Sequence, residues 1–150
     1  MIKLQQLTAF LVDLNYVAAE NIDAWIENPQ IVPRCKDLGE GQMIIYTQTY
    51  DAVLMIERFP HTRHPAELLF AQVCAWLVEN DEERFDTDLP NPSIDVDVLD
   101  NKTADIDITI RFEEDITAVP DDNGPIMIQG EKYRLDNAVT SYVQESEIQA

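Results

Sequence analysis

Glycine, histidine, cysteine and positive charge are all scarce in this chain, and each shortage removes a class of function. With four glycines in 150 residues, neither G-x-G-x-x-G nor G-x-x-x-x-G-K-[ST] occurs, so the usual backbone cradles for phosphate are missing. The nucleophile elbow G-x-S-x-G and the calcium loop D-x-[DN]-x-[DN]-G are also absent, and nothing recommends acyl transfer or a helix-loop-helix metal site. His61 and His64 flank Thr62 and Arg63 with no cysteine nearby. A structural zinc site needs four tight ligands, so the pair reads as a loop ahead of a helix. Cys35 and Cys74 lack CxxC spacing and read as reduced thiols of an unsecreted chain. No apolar run approaches the roughly 18 residues of a membrane span. The opening MIKLQQLTAFLVDL has the pattern of an amphipathic helix, without a basic start or a small-residue cleavage site. A cytoplasmic protein with no membrane partner is the expectation.

Ten Lys and Arg stand against 29 Asp and Glu, a net charge of −19. Backbone binding to nucleic acid works by neutralising phosphates with Lys and Arg, so DNA is repelled and sequence-specific nucleic-acid binding is not expected. The excess is uneven: Glu79 to Asp122 holds 16 acids and three bases, a local balance of −13.

What is present is a globular pattern. Hydrophobic residues make up 45%, and 150 residues fit one domain, 1–150. Ile2, Leu4, Leu7, Phe10, Leu11, Leu14 and Val17 recur at helical spacing and predict a first helix of about four turns. A second is predicted over Ala66–Asn80, led in by Pro65 and carrying Leu69, Val73, Trp76 and Leu77 on one stripe. Between them, Trp25–Ile26 and Ile31–Val32 surround Pro29 and Pro33, which predicts two short extended pieces broken at the prolines. Gly39 and Gly41 make a turn. Gln42 to Arg58 is β-branched and aromatic and predicts one long strand, buried on both faces near its end, with Tyr46, Tyr50, Ala52, Leu54 and Ile56 on one parity. IMIQGEKYRL predicts a short hairpin around Gly130. Residues 137–150, where apolar density falls, are expected to be a loose tail or an assembly arm. The fold class expected is α+β, a mostly antiparallel sheet covered by two main helices.

The strictest pattern is Ser93–Ile116, SIDVDVLDNKTADIDITIRFEEDI. Ile94, Val96 and Val98 alternate with Asp95 and Asp97, and Ile106, Ile108 and Ile110 with Asp105, Asp107 and Thr109. A hairpin turning at Asp100–Asn101–Lys102 sets Asp95, Asp97, Asp105 and Asp107 on one sheet face. Like charges placed opposite one another cost about 0.2–1 kcal/mol per pair, so the arrangement calls for a reason. The apolar row Ile94, Val96, Val98, Ile106, Ile108 and Ile110 is expected to face the interior, leaving the carboxylates as the solvated face of a half-buried sheet; those four aspartates are the candidate binding or assembly site. A divalent metal there would want loop carbonyls and a tight glycine turn that the hairpin lacks; no catalytic residue, metal or cofactor is expected.

The strand YTQTYDAVLMIERF, the helix segment CAWLVEND and the hairpin IDVDVLDNKTADIDITIRFEEDI together resemble the tail completion protein R (GpR) family of contractile-tailed temperate bacteriophages. Trp76–Leu77 and Asn101 to Asp105 are the most specific pieces, and the likeness covers about Ile45 to Asp115. The resemblance implies a non-enzymatic virion protein that finishes the tail and helps join it to the head, with a tail-terminator-like fold. By looser analogy it implies a homo-oligomeric ring, such as a hexamer, touching tube, sheath or neck proteins. It would be assembled in the bacterial cytoplasm and reside in the virion tail. Within such a ring the aspartates would either line a conduit that repels DNA or meet basic patches on a neighbour. The alternative from the charge alone is an acidic inhibitor that mimics nucleic acid. A metal-dependent hydrolase using the four aspartates is a third reading.

Overall fold

A computed structural model describes residues 1–136; the expected arm at 137–150 lies outside the described residues. Helix α1 (Ile2–Leu14) is followed by two 18-residue strands, β1 (Ile22–Gly39) and β2 (Gln42–Phe59), then helix α2 (Ala66–Asn80). Strands β3 (Ser93–Val98), β4 (Ala104–Pro120), β5 (Ile126–Ile128) and β6 (Glu131–Leu135) complete the order. All six strands share one sheet, β1-β2-β4-β6-β5, with β3 pairing to β4. The pairs β3–β4, β4–β6 and β5–β6 are antiparallel. Two residues, Glu40 and Gly41, join β1 to β2, a link short enough only for antiparallel neighbours. Contacts of Thr47 with Asp115, Asp51 with Arg111 and the Arg58 N–H with Asp105 run in opposite senses along β2 and β4, so that pair is antiparallel too. The expected α+β class, with a mostly antiparallel sheet and two main helices, is what the chain adopts.

The described chain divides into two compact units, residues 3–28 with 50–112, and residues 1–2 with 29–49 and 113–136. The first unit holds both helices. Their buried stripes are Leu7 and Leu11 on α1 and Leu69, Val73, Trp76 and Leu77 on α2. The sheet offers Tyr50, Ala52, Leu54, Ile56 and Phe59 from β2 and Ala104, Ile106, Ile108, Ile110 and Phe112 from β4, all buried. Phe112 is the aromatic junction, with its ring centroid 5.9 Å from Tyr50 and 6.2 Å from Trp76. On the opposite parity of β2 Val53 is buried but Met55 and Glu57 are only half-buried, so burial on both faces is reached in the middle of this strand and not near its end as expected.

One charged cluster in this unit was not foreseen. The Asp81 carboxylate, 1% exposed, accepts hydrogen bonds from Lys3 Nζ on α1 and from Arg84 at 2.7 Å. Arg84 is itself buried and donates to the carbonyls of Arg111 (3.3 Å) and Pro90 (3.1 Å). Asp81 also caps α2, its N–H bonding to the Leu77 carbonyl at 2.8 Å. One carboxylate thereby secures two helix ends and, through Arg84, a strand and the loop that leads to β3.

The second unit is built on the C-terminal half of β4. Ile116, Ala118 and Tyr133 are buried, and β6 pairs Leu135, Arg134 and Tyr133 with Ala118, Val119 and Pro120. The β5–β6 hairpin turns at Gln129 (φ 50°) and Gly130 (φ 83°), the left-handed pair a two-residue hairpin turn demands; this is the hairpin expected around Gly130. Gly124 is obligatory, since a Cβ there would meet the Tyr133 carbonyl oxygen at 2.1 Å.

Two further expectations fail. Residues 24–36 are not two pieces broken at prolines but the middle of the unbroken β1. Proline removes a donor the ladder needs only on the side facing a neighbour. β1 ends the sheet order, and an edge strand can carry proline without losing a ladder bond wherever the missing N–H would face away from its one neighbour. The second failure is in the hairpin, where the apolar row of β3 is exposed rather than buried: Ile94 51%, Val96 42% and Val98 63%. Their partners on β4 fill the core, and β3 lies beyond the cover.

Replacing Asp81 with alanine should destabilise the protein by about 3–5 kcal/mol, because Arg84 would be left buried without its counter-charge. Urea unfolding of the variant checks this, and Lys3→Ala should cost much less, since Lys3 is the more exposed partner.

Candidate functional site

The hairpin forms as the alternation predicted. Asp95 lies directly opposite Asp107 and Asp97 opposite Asp105, while Ile94, Val96 and Val98 oppose Ile108, Ile106 and Ala104. The turn is held by Asp100, whose Oδ1 accepts from the N–H of Lys102 (2.8 Å) and of Thr103 (2.7 Å) and from the Thr103 hydroxyl (3.1 Å). Those donors, the Lys102 amide first, hold the Asp100 carboxyl below its ordinary range. His61 Nε2 lies 3.2 Å from the Asp100 carbonyl, and His64 packs its ring 4.5 Å from that of Tyr16. The two histidines thus serve different neighbours.

The four carboxylates are not equivalent. Asp105 Oδ1 accepts the backbone N–H of Arg58 at 3.0 Å, at a residue whose left-handed φ of 55° turns it out of the regular ladder. Asp107 has one oxygen, Oδ1, buried without a hydrogen-bond partner. Burial first, then the charges of Asp95 and Asp105, push its carboxyl above the usual range. Among the described residues none of the four forms an ion pair. No group of three or more His, Cys, Asp or Glu among those residues is disposed to hold a metal ion.

Two further polar groups escaped the sequence reading. Asn28, Asp51 and Arg111, from β1, β2 and β4, form a clasp: Asn28 Nδ2 donates to Asp51 at 2.9 Å, and Arg111 donates to Asp51 at 3.0 Å and to the Asn28 carbonyl at 3.2 Å. The Asn28 amide, ahead of Arg111, lowers the Asp51 carboxyl below its ordinary range. In the other unit, Arg34, Lys36, Ile44, Thr47, Glu113 and Asp115 line an open cleft of about 300 Å³. Arg34 Nε donates to the Thr47 hydroxyl (3.1 Å), which donates to Asp115 (2.7 Å). Cations and carboxylates balance there, and the threonine is held between them as a cross-link. Neither cluster has a signature along the chain, because each joins positions brought together only by strand register.

The geometry defines an antiparallel α+β sheet domain whose distinguishing surface is an acidic hairpin at the sheet edge. The pattern of the P2 phage tail completion protein R (GpR) family matches residues 1–137, and the chain belongs to that family. The match takes in α1 and β1 as well as the Ile45–Asp115 region that carried the resemblance. A protein of Haemophilus phage HP1 (strain HP1c1), described as an uncharacterized 19.2 kDa protein in the rep-hol intergenic region, is 31% identical over 145 residues, covering 96% of this chain and 87% of that one. No solved structure matches.

Replacing Asp107 with asparagine should stabilise the protein at neutral pH by about 0.2–1 kcal/mol, the scale of a like-charge cross-strand pair. Because the folded-state pKa is raised, the native chain takes up a proton at higher pH than the unfolded chain. The penalty is therefore complete above the folded pKa and relieved as pH falls toward the ordinary carboxylate value. The advantage of Asp107→Asn should shrink over that interval in thermal melts taken from neutral to mildly acidic pH.

Proposed function

We propose that this protein is a non-enzymatic tail completion or terminator protein, which finishes the phage tail and helps join it to the head. It acts as a ring, with about six copies matching the symmetry of such tails. Its place is the virion tail, reached after assembly in the host cytoplasm, and its contacts are tube, sheath or neck proteins. The observation that carries the reading is the family match over residues 1–137. The hairpin supports it: four carboxylates with no ion-pair partner among the described residues, Asp95, Asp97, Asp105 and Asp107, are set out on a strand pair at the margin of the sheet. Unpaired rows of one sign steer and register a complementary surface more than they hold the fold.

The experiment is complementation of a phage lacking this gene with a chain carrying all four aspartates as asparagine. Asp105→Asn keeps a side-chain oxygen for the Arg58 N–H, and the melting temperature of the purified variant verifies folding. Finished tailed particles should fall roughly tenfold or more, the effect of about 1.4 kcal/mol lost at one docking step. Full particle yield from the folded variant would remove the hairpin from assembly. Sedimentation of the wild type with tail tubes should show a closed oligomer, and a strict monomer that ignores tubes would overturn the ring.

A further inference from the structure

Among the described residues three strands, β1, β3 and β5, have a neighbour on one side only, and the two longer ones, β1 and β3, are protected very differently. An uncovered edge strand offers a row of unpaired N–H and C=O groups, and proteins blunt it with proline, local kinks or charged side chains. β1 is blunted by Pro29 and Pro33 and by left-handed residues at Asn28 (φ 51°) and Cys35 (φ 47°). β3 has neither proline nor a left-handed residue; its guards are two aspartates, which repel another acidic strand but not a basic one. β3 is six residues of regular strand, exposed at every position, and among the described residues it is paired to β4 on one side only. One of its faces is the exposed apolar row Ile94, Val96 and Val98. The other carries Asp95 and Asp97, backed by Asp107 and Asp105, with no cation paired to them among the described residues.

We propose that the free edge of β3 is a docking site for an extended segment of another protein, which adds a strand beside Ser93–Val98 and alternates apolar with basic residues. The three features specify that occupant together. The open main chain supplies the pairing, and pockets on alternate sides supply the selection. Side chains of the added strand alternate between the two faces. One set therefore extends the row Ile94, Val96 and Val98, while the other lies against the carboxylates and wants Lys or Arg. The proline-blunted β1 of a second copy is a poor fit, which points to a different protein. The inference takes the identity of the partner as a tail component from the function proposed above; the mode of binding stands on the strand alone.

The test uses the full-length protein and three end-blocked ten-residue peptides: alternating Val and Lys, the same residues in two blocks, and alternating Val and Glu. Amide hydrogen exchange over the whole chain and calorimetric titration are the readouts. The alternating Val–Lys peptide should slow exchange at Ser93–Val98 and bind at least about tenfold tighter than the other two. Asp95→Asn with Asp97→Asn should weaken it about tenfold with no loss of melting temperature, the behaviour of a charge-complementary contact. Equal binding of the blocked peptide would reduce the surface to net charge and overturn the proposal. So would protection at β1 instead of β3, no protection at all, or protection of β3 that grows with protein concentration without peptide, which would make a second copy the occupant. The peptides probe the mode of docking, whereas particle counts with the neutralised hairpin probe the role in the tail, so either can fail alone.

Discussion

The two-residue period of β4 is the constraint from which the other relations follow. Along its 17 residues the even positions from Ala104 to Ala118 are buried without exception, and the odd positions are not. Because successive side chains must face opposite ways, one strand both closes the apolar interior and displays Asp105, Asp107, Arg111, Glu113 and Asp115 on its other face. β2, β3 and β6 are all registered against it. A slip of one residue would place carboxylates against Tyr50 and Trp76, so burial of the even row fixes which acids the hairpin shows.

That row can extend only as far as its cover. Ala104, Ile106 and Ile108 are at most 2% exposed, while their cross-strand partners on β3 are 42–63% exposed. The same alternation on paired strands thus has two outcomes, set by whether the helices reach that far. Asp81 is the charged counterpart of this constraint. Lys3, Arg84 and the α2 end meet on one carboxylate, so the chain after α2 leaves in a defined direction before it forms β3. A buried carboxylate is justified only when its partners are all in place, which ties this local geometry to the completed unit.

Much of this was legible in the sequence, for identifiable reasons. Both helices occupy the spans their apolar spacing marks, Ile2–Leu14 and Ala66–Asn80, because a 3.6-residue stripe is a local signal. The acidic hairpin and its turn were readable from strict alternation and Asp100. Pro29 and Pro33 misled, because whether proline breaks a strand depends on what lies beside it, and edge position is a property of the whole sheet. The clasp of Asn28, Asp51 and Arg111 was silent for a related reason: its members are 23 and 60 residues apart and nothing local announces their meeting. The exposure of Ile94, Val96 and Val98 was likewise hidden, since alternation marks an apolar face without saying whether anything covers it.

The facing aspartates have one more consequence, for the chain before it meets anything else. Two β3 edges laid against each other would bring the carboxylates of both copies into one crowded strip, and that repulsion opposes the ribbon-like self-stacking to which bare strands are prone. Ions screen it beyond about 8 Å at physiological salt, which leaves neighbours at contact distance still repelled. Charge of one sign on this strip therefore works against two copies zipping together through the same bare strand.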